Sequence, residues 1–243
     1  MTNKKTRKAV SFESGHSRAQ RVAAYLLILI VVNIIAISAD YSQVQLVGRA
    51  INGQAVTLFE AAVNDNNLLL TWGVQIIIFG ITVIALLMWV HRVYRNLQSL
   101  GADNLMFSPG WAVGGFFIPI WNLLHPFLVV REIWKASDPS IAINDSLAWK
   151  NASLSCLATF WWLLFVASWF IVFILNQWSI GAMSLQELYA FSWVMLPMDG
   201  LTLLSAVLTI LLVWSINHRQ KERNNLVLDL LDVARNNYTK GAI

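Results

Sequence analysis

The sequence has few charged residues and only one cysteine. Charged residues make up 12% of the 243 residues, against about 25% in ordinary globular domains. Because 57% of the residues are hydrophobic, a soluble fold of this length has too little interior to bury them, and lipid must cover much of the surface. The single cysteine, Cys156, excludes an intramolecular disulfide and a cysteine metal cluster.

Familiar catalytic motifs are also missing from the sequence. It has no P-loop, no zinc-protease helix motif, no paired-cysteine redox motif and no serine nucleophile elbow. His91, His125 and Glu132 are a candidate metal set, but they lack the close spacing of a metal motif. We therefore expect no metal and no cofactor. The net charge of +4 does not indicate nucleic acid, because the basic residues cluster beside apolar runs, as in membrane proteins.

Four long apolar runs are present, and each predicts a membrane-spanning helix. They lie at about 22–40, 68–90, 152–175 and 188–216. As a helix, the second run is ~35 Å long, enough to cross a hydrocarbon core of ~30 Å. The pattern predicts a polar outer connector over residues 40–67. We also expect a break at Pro197 within the last run.

Polar segments flank this membrane domain of residues 22–216. Residues 1–21 form a basic arm, and residues 217–243 form a tail. In the tail, apolar residues at 226, 227, 230, 231 and 234 fall on one face of a helix. The tail is therefore predicted to be an amphipathic helix.

A further segment, residues 108–137, is apolar but broken by prolines and is here named the hairpin. It contains Pro109, Pro119, Pro126 and the pair Gly114–Gly115. We predict that it enters the membrane region and returns, as a re-entrant or interfacial pair of helices. Non-helical backbone at membrane depth requires protein or water around it. We therefore expect the spanning helices to cover residues 118–126.

The distribution of basic residues favours this returning hairpin. If it returns, 16 of the 17 Lys and Arg residues lie in cytoplasmic segments, and only Arg49 lies outside. If it spans, 8 stay inside and 9 are exported. Lys and Arg in short loops favour the cytoplasmic side. The predicted fold is an all-α membrane protein with four transmembrane helices and a proline-broken re-entrant or interfacial helical hairpin, with both termini inside.

The most distinctive residues lie between Trp89 and Ser137. They are Trp89, Arg92, Asn96, Leu100–Gly101, Pro109, Trp111–Ala112–Val113, Phe117–Ile118–Pro119–Ile120, Asn122–Leu123, Pro126, Arg131–Glu132, Trp134 and Ala136–Ser137. This pattern resembles the domain-of-unknown-function 4328 family of bacterial multi-pass membrane proteins. The resemblance implies a multi-pass bacterial membrane protein, and we expect it in the bacterial cytoplasmic (inner) membrane. It implies no reaction and no ligand.

Asp199 is the first candidate functional residue. Counting residues from Glu187 places it roughly 18 Å along the last spanning helix. An acid at that depth must be partnered, protonated or turned toward other helices. Asn33 and Gln75 are candidate partners at a similar depth. The two hypotheses are a proton- or ion-linked site and a buried polar clamp between helices.

A second candidate site is a set of polar residues near the cytoplasmic ends of the helices. Its members are Arg92, Arg95, Asn96, Asn122, His125, Arg131 and Glu132. One interpretation is a site for a small anion or a phospholipid headgroup, assisted by the start of the helix at Pro109. The other is that the arginines extend to lipid headgroups while Glu132 pairs with Arg92 or Arg95.

Three classes of function remain open from sequence. The favoured class is a non-enzymatic scaffold or regulatory membrane component. Its expected partners are the phospholipid bilayer, with anionic headgroups at the cytoplasmic face, and a protein bound through residues 1–21 or 217–243. The second is a small transporter or channel that uses Asp199 and the hairpin. The third is a lipid-acting membrane enzyme, which is least favoured because no nucleophile–base pair is visible.

Overall fold

The computed structural model describes residues 11–178 and 184–240, and these ranges contain helices and no strand. Their α-helices are α1 His16–Ile51, α2 Leu58–Ser99, α3 Pro109–Gly114, α4 His125–Ala136, α5 Cys156–Trp178 and α6 Leu185–Lys240. Three short 3-10 turns lie at Gly115–Phe117, Trp121–Leu123 and Ala148–Asn151. Residues 1–10 of the predicted basic arm and residues 241–243 of the tail lie outside the described residues.

Four of these helices, α1, α2, α5 and α6, are long and apolar enough to cross a membrane. In α5, only 6% of the most apolar stretch is buried, so most of its side chains face outward, where lipid can cover them. A helix suits this setting because it satisfies every backbone hydrogen bond within its own segment. The predicted fold class, all-α with four spanning helices and a broken hairpin, is confirmed.

The helices extend beyond the apolar runs, so the predicted polar connector is mostly helical. Between α1 and α2 only residues 52–57 are non-helical. Gly53 follows the end of α1 with a φ of +69°, a conformation that glycine adopts without a steric penalty. Thr57 and Glu60 form a capping box at the start of α2, with backbone-to-side-chain hydrogen bonds of 2.9 and 3.1 Å. This short turn therefore ends α1 and begins α2 in the middle of the predicted connector.

The predicted break at Pro197 is wrong. Pro197 lies inside α6, which continues as one helix through the membrane stretch and the tail. Proline removes one helical hydrogen bond, but neighbouring groups in membrane helices commonly compensate for that loss. The amphipathic tail is therefore the last part of α6.

In the hairpin, α3 and α4 belong to two helical arms with a bend of 114° between them. Ser108 caps α3, because its Oγ accepts a hydrogen bond from the Trp111 N–H at 3.3 Å. The two arms meet at a γ-turn centred on Ile120, whose φ is 65° and ψ is −47°. The Trp121 N–H closes this turn on the Pro119 carbonyl at 2.7 Å.

The expectation that the spanning helices cover residues 118–126 is wrong for most of this stretch. Ile118 is 40% exposed, Ile120 83% and Leu124 51%, whereas His125 and Pro126 are buried. The physical reason is that the turn satisfies much of its own backbone. The Asn122 N–H donates to the Ile118 carbonyl at 2.9 Å, for example. Those backbone groups therefore do not depend on cover by other helices.

The helices group into two compact units, which are considered separately. The polar unit comprises the described parts of Met1–Gln20, Leu86–Thr159 and Leu212–Ile243, and the apolar unit comprises Arg21–Ala85 and Phe160–Leu211. The polar unit buries apolar side chains together with several polar ones. These are Trp89, Tyr94, Leu97, Ile133, Ile216, Asn96, Gln220 and Arg223.

Candidate functional site

Asp199 lies in the apolar unit, where it contacts a predicted partner on α1. It is 9% exposed, and the Asn33 Nδ2 donates a hydrogen bond to its Oδ1 at 3.3 Å. Gln75, the other partner suggested by the sequence, lies beside the same carboxyl group from α2. Two other helices of this unit, α1 and α2, therefore contribute to the surroundings of Asp199 on α6.

Asp40 is a second acid at the same place, and the sequence analysis missed it. It is 4% exposed, and its carboxyl group lies beside that of Asp199. Asp40 follows Asn33 by seven residues, which is two helical turns and therefore the same face of α1. That spacing was the available signal. It was missed because Asp40 was assigned to the outer connector.

In the polar unit, Glu132 joins α4 to the end of α2. Its Oε2 accepts a hydrogen bond from the Tyr94 hydroxyl at 2.5 Å, and its Oε1 accepts one from the Met106 N–H at 2.6 Å. Burial raises the pKa of Glu132, and these two hydrogen bonds act against that effect. The predicted pairing of Glu132 with Arg92 or Arg95 is wrong, because Tyr94 and the backbone occupy the carboxylate.

Arg92 and Asn96 instead bind the segment that precedes α1. Arg92 forms an ion pair with Glu13. The Asn96 Nδ2 donates to the Glu13 carbonyl at 2.9 Å and to Gln220 Oε1 at 3.2 Å. Arg95, one helical turn from Arg92, is exposed. These contacts hold the start of the described chain against α2 and α6.

His125 is buried within the hairpin and is 1% exposed. The Trp121 Nε1–H donates to its Nδ1 at 3.0 Å, and its Nε2 lies 3.3 Å from the Ala112 carbonyl. This pattern fits a neutral imidazole that carries its proton on Nε2. The rings of Phe107 and Phe116 pack against it edge to face. His125 therefore connects the two arms of the hairpin.

The seven residues of the second candidate site thus serve different contacts. Arg131 and Asn122 are half-exposed, and Asn122 uses its backbone N–H within the turn. Helix α3 has only six residues, too few to supply the helix dipole that the anion hypothesis required. In the described part of the chain, no three His, Cys, Asp or Glu side chains are placed to hold a metal ion.

Two arginines of α6 bind backbone and carboxylate groups in the polar unit. The buried Arg223 donates to the carbonyls of Leu100 at 2.9 Å, Asp138 at 2.6 Å and Ile141 at 3.3 Å. Arg219 forms an ion pair of 2.7 Å with the Asp138 carboxylate. Burial opposes ionisation of Asp138, but hydrogen bonds from Ser140 and the charge of Arg219 outweigh it and lower the pKa of this carboxyl group.

The matched family agrees with this architecture. Residues 52–218 match the family described as Domain of unknown function (DUF4328). The chain belongs to this family. It has no significant match among curated proteins or among solved structures. Together with the four apolar helices, the family match supports a multi-pass integral membrane protein.

The range that matches DUF4328 covers only part of each cluster. It contains all eight candidate residues predicted from sequence, from Arg92 to Asp199. It leaves out Asn33 and Asp40, which contact Asp199, and Gln220 and Arg223, which lie in the polar unit. The family description gives no activity, so the function has to be argued from the contacts of this chain.

Sequence reasoning missed the partners in the polar unit for a physical reason. Glu13 and Asn96 are 83 residues apart, and Asn96 and Gln220 are 124 apart. Periodicity reports which residues share a face of one helix, and it carries no information on which faces meet. The clearest indication in the sequence was the spacing of Gln220 and Arg223 in the part of α6 that belongs to the predicted tail. Their separation of three residues places them on one face.

Proposed function

We propose that the chain is a non-enzymatic integral membrane component that brings two copies of itself together through the tail of α6. The observation that carries the proposal is the exposure of this tail. After Arg223, every side chain that is described up to Asn237 is exposed or half-exposed. The exposed set includes Leu231 and its neighbours Leu228 and Leu230. A helix with this much free apolar surface gains stability when a partner covers it.

The spacing of the tail residues suits a parallel pair of helices. Val227, Leu231 and Ala234 recur at intervals of four and three residues, which is the seam of a coiled coil. Asp229 and Asp232 then fall on the outer faces of the pair. The same acids therefore do not oppose one another across the seam.

The charges of the tail argue against docking on an anionic membrane surface. Helices that lie on such surfaces carry Lys and Arg on their polar face. Residues 224–237 contain two acids and one arginine, Arg235. A seam of about two heptads is marginal for free peptides. Tethering both copies in one bilayer raises their effective concentration and favours pairing.

The proposed location is the bacterial cytoplasmic membrane, with both termini on the cytoplasmic side. The support is the charge distribution, which leaves only Arg49 outside when the hairpin returns. The tails of two copies then lie on the same side, as parallel pairing requires.

Site-directed cross-linking in native membranes tests the pairing. In a Cys156→Ser background, we expect oxidation to cross-link Ala234→Cys efficiently, because this position lies in the seam. Val233→Cys is the matched control, since it is also exposed but faces away from the seam. Adding Leu231→Asp should lower the yield at position 234 at least severalfold. Equal yields at 233 and 234, or none at 234, would contradict the proposal.

A small transporter or channel for an ion or solute is the second candidate. It is supported by the contact of Asp199 with Asn33 and Asp40 in the apolar unit, since buried acids at membrane depth commonly mark ion or proton paths. Flux into liposomes containing the purified chain tests it. Asp199→Asn should abolish the flux, and Asp65→Asn, at an exposed acid of α2, should leave it unchanged. Absence of flux for the unaltered chain would remove this candidate.

A further inference from the structure

The acids of the apolar unit are distributed in an unusual way. Its most apolar stretches are residues 22–40, 68–85, 160–175 and 188–211. In these four stretches, the only residues of the types Asp, Glu, Lys and Arg are Asp40 and Asp199. They are far apart in the sequence, yet they lie close together: Asn33, which shares a face of α1 with Asp40, donates a hydrogen bond to Asp199 at 3.3 Å, and the two carboxyl groups are neighbours. Two acids placed together in so apolar a setting require a specific physical explanation.

Among the described residues, neither acid has a basic partner. On α1 the neighbouring polar group is Asn33, and on α2 it is Gln75. Residues 160–175 of α5 contain no titratable side chain. The titratable group that faces Asp199 from the packed helices is therefore Asp40. Two adjacent ionised carboxylates with no neutralising cation would repel each other strongly at this depth.

The cluster of Asn33, Asp40 and Asp199 contains buried acceptors that lack a hydrogen-bond donor. The Asn33 Nδ2 donates to Asp199 Oδ1. However, Asn33 Oδ1 and Asp199 Oδ2 are buried and have no donor within hydrogen-bonding distance among the described residues, although the Gln75 amide lies beside the Asp199 carboxyl group. A buried acceptor without a donor loses the hydrogen bonds that it would make in water, which is unfavourable. A hydrogen held by one of the two carboxyl groups reduces this deficit and removes one negative charge.

We infer that Asp40 and Asp199 together form a proton-binding site that holds one proton between their carboxyl groups. One carboxyl group carries the O–H and donates it, and the other is ionised and accepts it. The Asn33 amide supports the pair by donating to Asp199. The inference rests on neither candidate function, because a proton can be bound without being transported and without the tails pairing.

Infrared difference spectroscopy of the purified protein at neutral pH tests the inference. We expect the spectrum of the unaltered protein minus that of the double variant Asp40→Asn, Asp199→Asn to show one protonated carboxylic acid per chain. Its band should shift on transfer to deuterated water. Asp65→Asn is the control, because Asp65 is an exposed acid of α2 outside the pair, so the corresponding difference spectrum should show no protonated-acid band. A difference spectrum without the band would overturn the inference.

Three further measurements distinguish a shared proton from a bound metal cation and from a folding defect. The single variants Asp40→Asn and Asp199→Asn should each alter the band, and a band unaffected by either would overturn the inference. Replacing choline chloride by sodium chloride should leave the band unchanged, and its loss would assign the site to a metal cation instead. If the double variant does not fold, the spectrum of the unaltered protein decides, because the complete absence of a protonated-acid band at neutral pH excludes the proposed site.

Discussion

Gly115 and His125 show how closely the two arms of the hairpin approach each other. A Cβ atom on Gly115 would overlap the His125 ring, whereas one on Gly114 would meet only Trp111 at 3.8 Å. The glycine is therefore required for the approach of the His125 ring. The conformational freedom of glycine is not the reason here, since the backbone of Gly115 is right-handed helical.

Substituting these neighbouring glycines provides a matched comparison. Gly115→Ala should destabilise the protein by about 1–3 kcal/mol, because the added methyl group forces the buried imidazole to move. Gly114→Ala should have little effect or a small stabilising one, because alanine favours helix. Thermal unfolding in detergent, followed by tryptophan fluorescence, measures both variants. Equal losses of stability would show that the ring is not tightly held.

Asp199 and Asn33 were identified from the sequence but Asp40 was not, and the reason is where each side chain lies in its apolar run. Asp199 stood out because an acid within an apolar run is costly, and depth alone suggested Asn33. Asp40 ends its apolar run, so it resembled an ordinary residue of the polar connector. The identity of a buried contact depends on how two helices are rotated toward each other, and one sequence does not specify that rotation.

Among the elements, α6 makes the most consequential contacts through Arg223. Its guanidinium group satisfies the Leu100 carbonyl near the end of α2 and two carbonyls of the segment after α4. Carbonyls at the ends of helices lack intrahelical partners. A buried arginine is therefore a structural cap for two other elements. From the sequence, Arg223 was placed only in the polar tail of residues 217–243.

Arg223→Met tests this capping role. The substitution keeps an unbranched stem but removes every hydrogen-bond donor. Each buried carbonyl left unpaired should then lower the free energy of unfolding by roughly 1–3 kcal/mol. Lys221→Met is the control, because Lys221 lies on the exposed side of the same helix. The midpoint of thermal unfolding should fall for Arg223→Met and stay close to the original for Lys221→Met. Similar midpoints for the two variants would mean that water or another group replaces the arginine.

The elements also show where periodicity and proline rules fail. Pro197 predicted a break, but α6 continues through it because the membrane favours any arrangement that keeps the backbone hydrogen-bonded. Residues 40–51 read as a connector because they are polar, but α1 extends through them. Polarity predicted the end of the apolar run correctly, whereas it did not predict the end of the helix. Helix ends depended on the glycine at position 53 and the capping box at Thr57.

At the scale of the whole molecule, the orientation in the membrane can be tested directly. In a Cys156→Ser background, Ser140→Cys should resist an impermeant thiol reagent added to intact cells and react after lysis. Gln54→Cys, in the short segment between α1 and α2, should react in intact cells. The physical reason is the retention of Lys and Arg on the cytoplasmic side. Labelling of position 140 from outside would show that the hairpin crosses the membrane.

The fold class was predictable because it depends on totals. The amount of apolar sequence and the lengths of its runs determine how many helices can cross a bilayer, and four such helices are present. The clusters inside the two units depend instead on individual donors meeting acceptors from distant segments. Composition therefore predicts how many helices can span a bilayer, but it does not predict which donors and acceptors meet. The contacts that Glu132, Asn96 and Arg223 make in the polar unit are therefore the part that the sequence predicts least.

The γ-turn at Ile120 has a consequence for the surrounding lipid. A branched residue at this positive φ costs on the order of 1–3 kcal/mol, and its side chain gains little packing from its own chain in return. Residues 104–130 contain no charged side chain, so acyl chains are a compatible environment for the tip. Inserted there, the hairpin adds cross-sectional area to a single leaflet. We therefore expect the protein to respond to membrane curvature and lateral tension, with highly curved vesicles relieving the crowding that this wedge creates.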